Sequence, residues 1–409
     1  MATFATTRIE RSSTSWCCIS TRALNTLADK LKSCVFRAIS RLTDPICIAH
    51  ERMTKFGNIH TLFPHEAKER RDLEAKYLFA QTRGYATVGM VSYLPALALR
   101  VVMACISREP FIHASGGKAE AQLRAGRVVT IDMQNIACVA GGFVYTDAGL
   151  LPWQERIPKI ADQILKCDSD VCIRLETFDT GSAFYLRDKL HGRYAHFYFN
   201  IGGVKVLGPS SGIFVASKFA IRDPEFTRFT SDMKVERTRC AALGVFGFTL
   251  MSDQTPFMRV FVTHLQPSQE TSFPTSVEKA CREKEMSLIC NKIDQVKGMP
   301  VIFAGDMNMD RLVFNATYGK RFEQGVLLWH EIDHAKKTLK TWGGDALSAM
   351  ISGQRISMEH DLDFIVALKG SVKQLRTALA PTGFKASQLT TASSDHGGLV
   401  STIKLHGGS

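Results

Sequence analysis

The sequence predicts an α/β protein rich in strands, preceded by a mainly helical N-terminal extension, and three observations carry that expectation. The 409 residues are 45% hydrophobic and 22% charged, enough apolar material for one large core or two moderate ones. From Arg127 onward, short apolar runs alternate with turns, and helical periodicity falls between some of them. Before Arg127 the chain carries long helical patterns and most of the excess positive charge. Glycine and proline occur at ordinary levels without a fixed period, which excludes collagen, coiled-coil and solenoid architectures.

The net charge of +12 is unevenly placed. Residues 1–127 hold 19 Lys and Arg against 10 Asp and Glu, a net +9, which leaves +3 for the rest. A nuclease tracking a phosphate backbone would concentrate positive charge around its groove, so this distribution favours another anionic partner for the extension. The 11 cysteines include no CxxC pair, so neither a disulfide framework nor a zinc ribbon fits them. Cys138 and Cys172 lie in apolar runs, where a thiol acts as a small hydrophobe. This usage points to a reducing compartment, cytoplasmic or at a membrane periphery. The Ser- and Arg-rich, acid-poor first 43 residues also resemble a targeting or secretion signal.

Within the extension, taken as residues 1–107, positions 24–42 form an amphipathic pattern. Leu24, Leu27, Ala28, Leu31, Val35, Ala38, Ile39 and Leu42 share one face, opposite Lys30, Arg37 and Arg41. Such a helix either lies on an anionic membrane or packs on the protein's own core. Residues 66–83 are strongly charged and helical in pattern. Tyr85 to Ile106 is nearly free of polar residues, but Pro95 and Arg100 interrupt it, which favours a membrane-associated hairpin or a buried helix over a span. Residues 108–127, with Ser-Gly-Gly, read as a linker to a second domain at 128–405.

In that domain, strands are predicted at 128–131, 171–175, 195–199, 213–216, 243–250, 258–264, 300–304, 362–367 and 398–403, with helices at 153–166 and 276–296. Polar residues cluster at the strand ends. Asn135 follows the first, Glu176 ends VCIRLE, His264 ends VFVTH, and Asp306 and Asn308 end VIFAGDMN. Asp363 begins DFIV, and Asp395 and His396 precede GGLVSTI. Oxygen ligands without thiolates suit a hard ion such as Mg²⁺, or Mn²⁺ in its place, and a phosphoester is the natural substrate. Any one of these residues alone would be a turn, cap or core residue; the ordered set outweighs that reading.

The order Asn135, LET at 175–177, SSG at 210–212, TH at 263–264, GDMN at 305–308, LDF at 362–364 and SDH at 394–396 resembles the endonuclease/exonuclease/phosphatase (deoxyribonuclease I-like) superfamily over residues 128–405. The resemblance implies a four-layer α-β-β-α sandwich. It implies Glu176 as the principal Mg²⁺ ligand, with Asn135 and Asp395 close to the metal. It makes His396 the general base, oriented by Asp363, with Asp306 and Asn308 positioning nucleophile and phosphate and His264 assisting at a phosphoryl oxygen. Leu175 and the QNIACVAG surroundings of Asn135 depart from the family's habit without removing a ligand or the base.

SSGIFVASKFAI, VFVTHLQPS and EHDLDFI look most like the sphingomyelinase branch, so the expected substrate is a phospholipid. Nucleic acid cleavage is the alternative, and a catalytically silent membrane adaptor is a third reading. His330, Glu331 and His334 spell HExxH, but Asp333 places a charge where zinc proteases keep an uncharged residue. Phosphate-binding, dinucleotide and hydrolase-elbow motifs are absent from the sequence. The Asn315 sequon matters only in a secreted protein.

Overall fold

The computed structural model describes residues 15–57, 67–123, 126, 128–138, 153–206, 208–230, 232, 243–268, 275–324, 326–327, 342–343, 359–380, 394 and 396–406. Asp395 and the HExxH segment lie outside them. Two long helices come first, α1 (Ser15–Gly57) and α2 (Lys68–Ile106). Four more follow: α3 (Trp153–Cys167), α4 (Thr180–Leu190), α5 (Ser276–Asp294) and α6 (Arg311–Tyr318).

The strands are β1 (Ile112–Ser115), β2 (Val128–Cys138), β3 (Val171–Thr177), β4 (His196–Phe199), β5 (Phe214–Ser217), β6 (Ala220–Arg228), β7 (Gly244–Ser252) and β8 (Thr255–His264). They continue as β9 (Val301–Asp306), β10 (Phe322–Gln324), β11 (Val326–Leu327), β12 (Trp342–Gly343), β13 (Glu359–His360), β14 (Asp363–Leu368), β15 (Gln374–Leu379) and β16 (Leu399–Lys404). One sheet runs β1-β4-β5-β3-β2-β16-β15-β11 and the other β10-β14-β9-β8-β7-β6, while β12 and β13 pair alone.

Burial divides into three layers of packing, which is why the strands read as nearly continuous apolar runs. Between the sheets lie Ile131, Ile173 and Val215 from one side and Phe246, Val260 and Ile302 from the other. The outer face of the first sheet packs Phe197, Phe214 and Cys172 against Ile160 and Ile164 of α3 and Phe184 and Leu186 of α4. The second sheet packs Phe303 and Phe364 against Met286, Ile289 and Ile293 of α5 and Phe314 of α6. Helix, sheet, sheet and helix therefore stack in four layers.

All nine predicted strands are present. The stretch read as a linker, however, holds β1, which pairs antiparallel with β4 as an edge strand. Its Ser-Gly-Gly is a site of close approach, because a Cβ on Gly117 would sit 2.7 Å from the His191 ring.

Residues 68–106 form one continuous helix that joins the charged segment to the apolar one, because Pro95 does not end α2. The apolar face expected on positions 24–42 is met in part, by Ile39 in the core and by Val35 and Leu42 packed against it. The buried stripe of α1 holds Lys32, Phe36, Ile39 and Ser40, whereas Leu27 and Leu31 are exposed. Polar anchors set this rotation. Lys32 donates to the Phe111 carbonyl, and Arg37 makes a bidentate pair with Asp188 of α4. One side of this stretch of α1 therefore packs on the sandwich, and α2 packs on α1, with Gly89 closing onto the backbone of Ile46. Among the described residues, α2 is the one helix long and apolar enough to cross a membrane.

Candidate active site

Strand register assembles most of the site. β8 and β9 run parallel with His264 opposite Asp306, and β9 and β14 run antiparallel with Asp306 opposite Asp363. Three of the candidate side chains thus sit side by side at one rim of the second sheet. The first sheet contributes Asn135 from β2, whose Nδ2 donates to Asp306 Oδ2 across 3.3 Å. It also contributes Glu176 from β3, whose Oε1 lies 4.0 Å from His264 Nε2. His396 enters from the segment before β16 and its Nδ1 meets Asp363 Oδ2 at 2.7 Å, while its Nε2 lies 4.0 Å from Asp306 Oδ2. Groups separated by more than 250 positions in sequence therefore share one pocket. Asp306, Asp363 and His396 bring their polar atoms within 4.8 Å of one another.

The backbone is strained where the function would be. Ala137, Glu176 and Asn308 all have positive φ, at 49°, 56° and 46°. A left-handed Glu is uncommon and persists only where its surroundings over-determine it. Those surroundings include Gly212 of the SSG motif, whose carbonyl accepts from Thr177 N at 2.8 Å. A Cβ on Gly212 would lie 2.8 Å from the Phe178 ring and 3.1 Å from the Cα of Glu176, so only glycine fits.

Several positioning residues carry no local sequence signal. Arg156 of α3 donates to the carbonyls of Ile136 (2.8 Å) and Ala137 (2.6 Å), bracing the irregularity in β2 that follows Asn135. Ser394 donates to the Asn135 carbonyl at 2.6 Å and accepts from His396 N, and Gln134 donates to the His396 carbonyl at 3.1 Å. Ser394, within SDH, ties that motif to Asn135, a contact made only once the chain is folded. Asn308 departs somewhat from expectation. Its Nδ2 is engaged by the Leu265 carbonyl at 2.9 Å, and its backbone N–H donates to Asp306 Oδ1.

Three carboxylates, Glu176, Asp306 and Asp363, are almost fully buried together. Burial and the neighbouring Asp363 push the Asp306 carboxyl above its usual range, opposed by the two imidazoles. Burial likewise holds the His264 imidazole below its usual value. Such a concentration of buried acceptors is costly unless it is relieved by protonation, by the adjacent imidazoles or by a cation. Among the described residues of the expected metal set, Glu176 and Asn135 offer oxygen donors without a thiol, which fits a hard divalent ion.

No protein-family model and no curated protein sequence matches the chain. Solved structures do. Beta toxin from Staphylococcus aureus aligns over 67% of this chain and 99% of its own, with 18% identity and a TM-score of 0.54. SmcL aligns over 68% of this chain and 100% of its own, with 18% identity and a TM-score of 0.55. A beta toxin variant with bound magnesium ions aligns over 67% of this chain and 98% of its own, with 16% identity and a TM-score of 0.52. The deoxyribonuclease I-like sandwich that the strand-end motifs imply is therefore the fold of this chain.

Proposed function

We propose that the protein is a Mg²⁺-dependent phosphodiesterase in which His396 activates water, with a phospholipid as substrate. The observation that carries this reading is the buried His396–Asp363 pair at 2.7 Å, with the other ring nitrogen turned toward the carboxylate pocket. Asp363 accepts from Nδ1, fixes the tautomer and stabilises the imidazolium, leaving Nε2 to take the proton of the attacking water. Glu176 and Asn135 would hold the cation, with Asp395 beside them. When bound, Mg²⁺ (or Mn²⁺) supplies neutralisation of charge on the phosphoryl oxygens. His264, kept neutral by burial, donates from a ring nitrogen to a phosphoryl oxygen. Asp306 holds Asn135 and the backbone of Asn308 in place.

The magnesium in the beta toxin variant supports the choice of cation. The positive charge concentrated before residue 128 supports lipid over nucleic acid as the substrate class. The test is turnover of sphingomyelin vesicles, plasmid DNA and bis(nitrophenyl) phosphate, with Mg²⁺ or chelator. Lipid and the small diester are expected to be cleaved only with metal. Cleavage of DNA without lipid turnover would replace the substrate assignment, and no hydrolysis of any diester would make the protein a silent adaptor.

A further inference from the structure

Helix α2 presents its apolar residues outward. Its buried positions Leu78, Thr82, Gly89, Ala96 and Met103 fall largely at intervals of seven, a narrow stripe that packs on α1 and the domain. The remainder is open: Val91 is 75% exposed, Leu94 69% and Met90 65%. At 100° per residue, the exposed side chains from Val88 to Ile106 sweep roughly 220° of the helix circumference. Between Arg83 and Arg100 no residue is charged, a length of about 24 Å. Such a surface is unusual on a soluble monomer and needs an occupant.

We propose that this face of α2 docks the protein onto an anionic lipid bilayer, with the helix lying in the plane of the interface. Three features select lipid over a second copy. A protein partner covers one side of a helix, whereas an arc this wide is covered only by a medium that closes around it. Tyr77, Tyr85 and Tyr93 are exposed along its length, the amphipathic side chains favoured at headgroup depth. The first 127 residues carry net +9, complementary to anionic headgroups.

An in-plane position follows from what holds α2. Arg100 turns inward and donates to the Gly208 carbonyl at 2.9 Å, in the loop that leads to the SSG motif. The buried stripe itself packs on α1, whose Arg37 pairs with Asp188 of α4. A spanning helix would draw these charges into hydrocarbon. Docking through this face would leave the catalytic domain held beside its membrane through the Arg100 tie.

The experiment is flotation of the full chain with vesicles of phosphatidylcholine, alone or with 30% phosphatidylserine, for wild type and the double variant Val91→Glu, Leu94→Glu. Wild type is expected to float with the anionic vesicles and less with the neutral ones. The variant should bind at least ten-fold more weakly while keeping its circular dichroism and its hydrolysis of bis(nitrophenyl) phosphate. That last readout separates docking from chemistry, so either can fail alone. Wild type that stays unbound, or a variant that binds as well, overturns the proposal. A wild-type dimer by light scattering that the variant abolishes, without vesicle binding, assigns the face to a second copy instead.

Discussion

Strand β7 and the second half of α2 are both long apolar stretches, yet they end in opposite surroundings. Phe246, Phe248 and Leu250 of β7 are completely buried between two sheets, while Val88, Met90, Val91 and Leu94 of α2 face outward. The difference lies in partners rather than hydrophobicity. The inner strands of the sandwich have a neighbour on each edge and a packed layer on each face, so their hydrogen bonds and their apolar area are satisfied together. Helix α2 satisfies its backbone internally and needs a partner only along one stripe, so its remaining surface is left for something outside the chain. The same contrast separates the two ends of the molecule in purpose: the sandwich concentrates buried charge at one rim, and the extension displays apolar surface.

This contrast can be broken first at the rim. His396→Ala is expected to lower kcat of diester hydrolysis by about 10² to 10⁴, without changing the melting temperature by more than a few degrees. Glu176→Gln should lose a comparable amount and recover part of it as Mg²⁺ is raised, a rescue the His396 variant should lack. Asp363→Asn keeps a hydrogen-bonding partner for His396 but favours the wrong tautomer, with a loss of about 10² or more that steady-state kinetics will show.

Smaller effects sharpen the comparison at the seam. Arg100→Ala removes the tie between α2 and the loop before the SSG motif and should cost about 1–3 kcal/mol in urea unfolding, with little change in kcat. The smallest effect is electrostatic. Asp179, the N-cap of α4, accepts from Gly181 and Ser182 backbone N–H groups, and burial raises its pKa from 3.8 to about 6. Because the folded value lies above the unfolded one, its contribution is present below pH 4 and is lost as pH rises through 6. Asp179→Asn keeps the capping oxygen, so it should flatten this dependence and melt about 2–4 °C higher than wild type at pH 7.5.

The rim was legible because its residues end strands that are apolar throughout, so VCIRLE, VFVTH and VIFAGD announce both the strand and the polar residue that follows. Strand β6, with Arg222, Asp223, Pro224 and Glu225 in its midst, hides at a sheet edge where one side needs no partner. Strand β1 was hidden by the glycines beside it, which serve close packing rather than flexibility. Helix α4 is too short and too mixed in polarity for periodicity to show it. The rotation of α1 depended on Phe36 and on anchors to Phe111 and Asp188, contacts more than 70 positions away. Arg156 and Ser394 were illegible for the same reason, since what they hold is backbone brought near only by folding.

The most direct measurement is hydrolysis of bis(nitrophenyl) phosphate by wild type and His396→Ala, each with excess Mg²⁺ and with chelator. Wild-type turnover that requires the metal and falls at least 100-fold in the variant is the expected result. Turnover that survives both the chelator and the substitution would contradict the shared pocket of Glu176, Asp306, Asp363 and His396 as the seat of the chemistry.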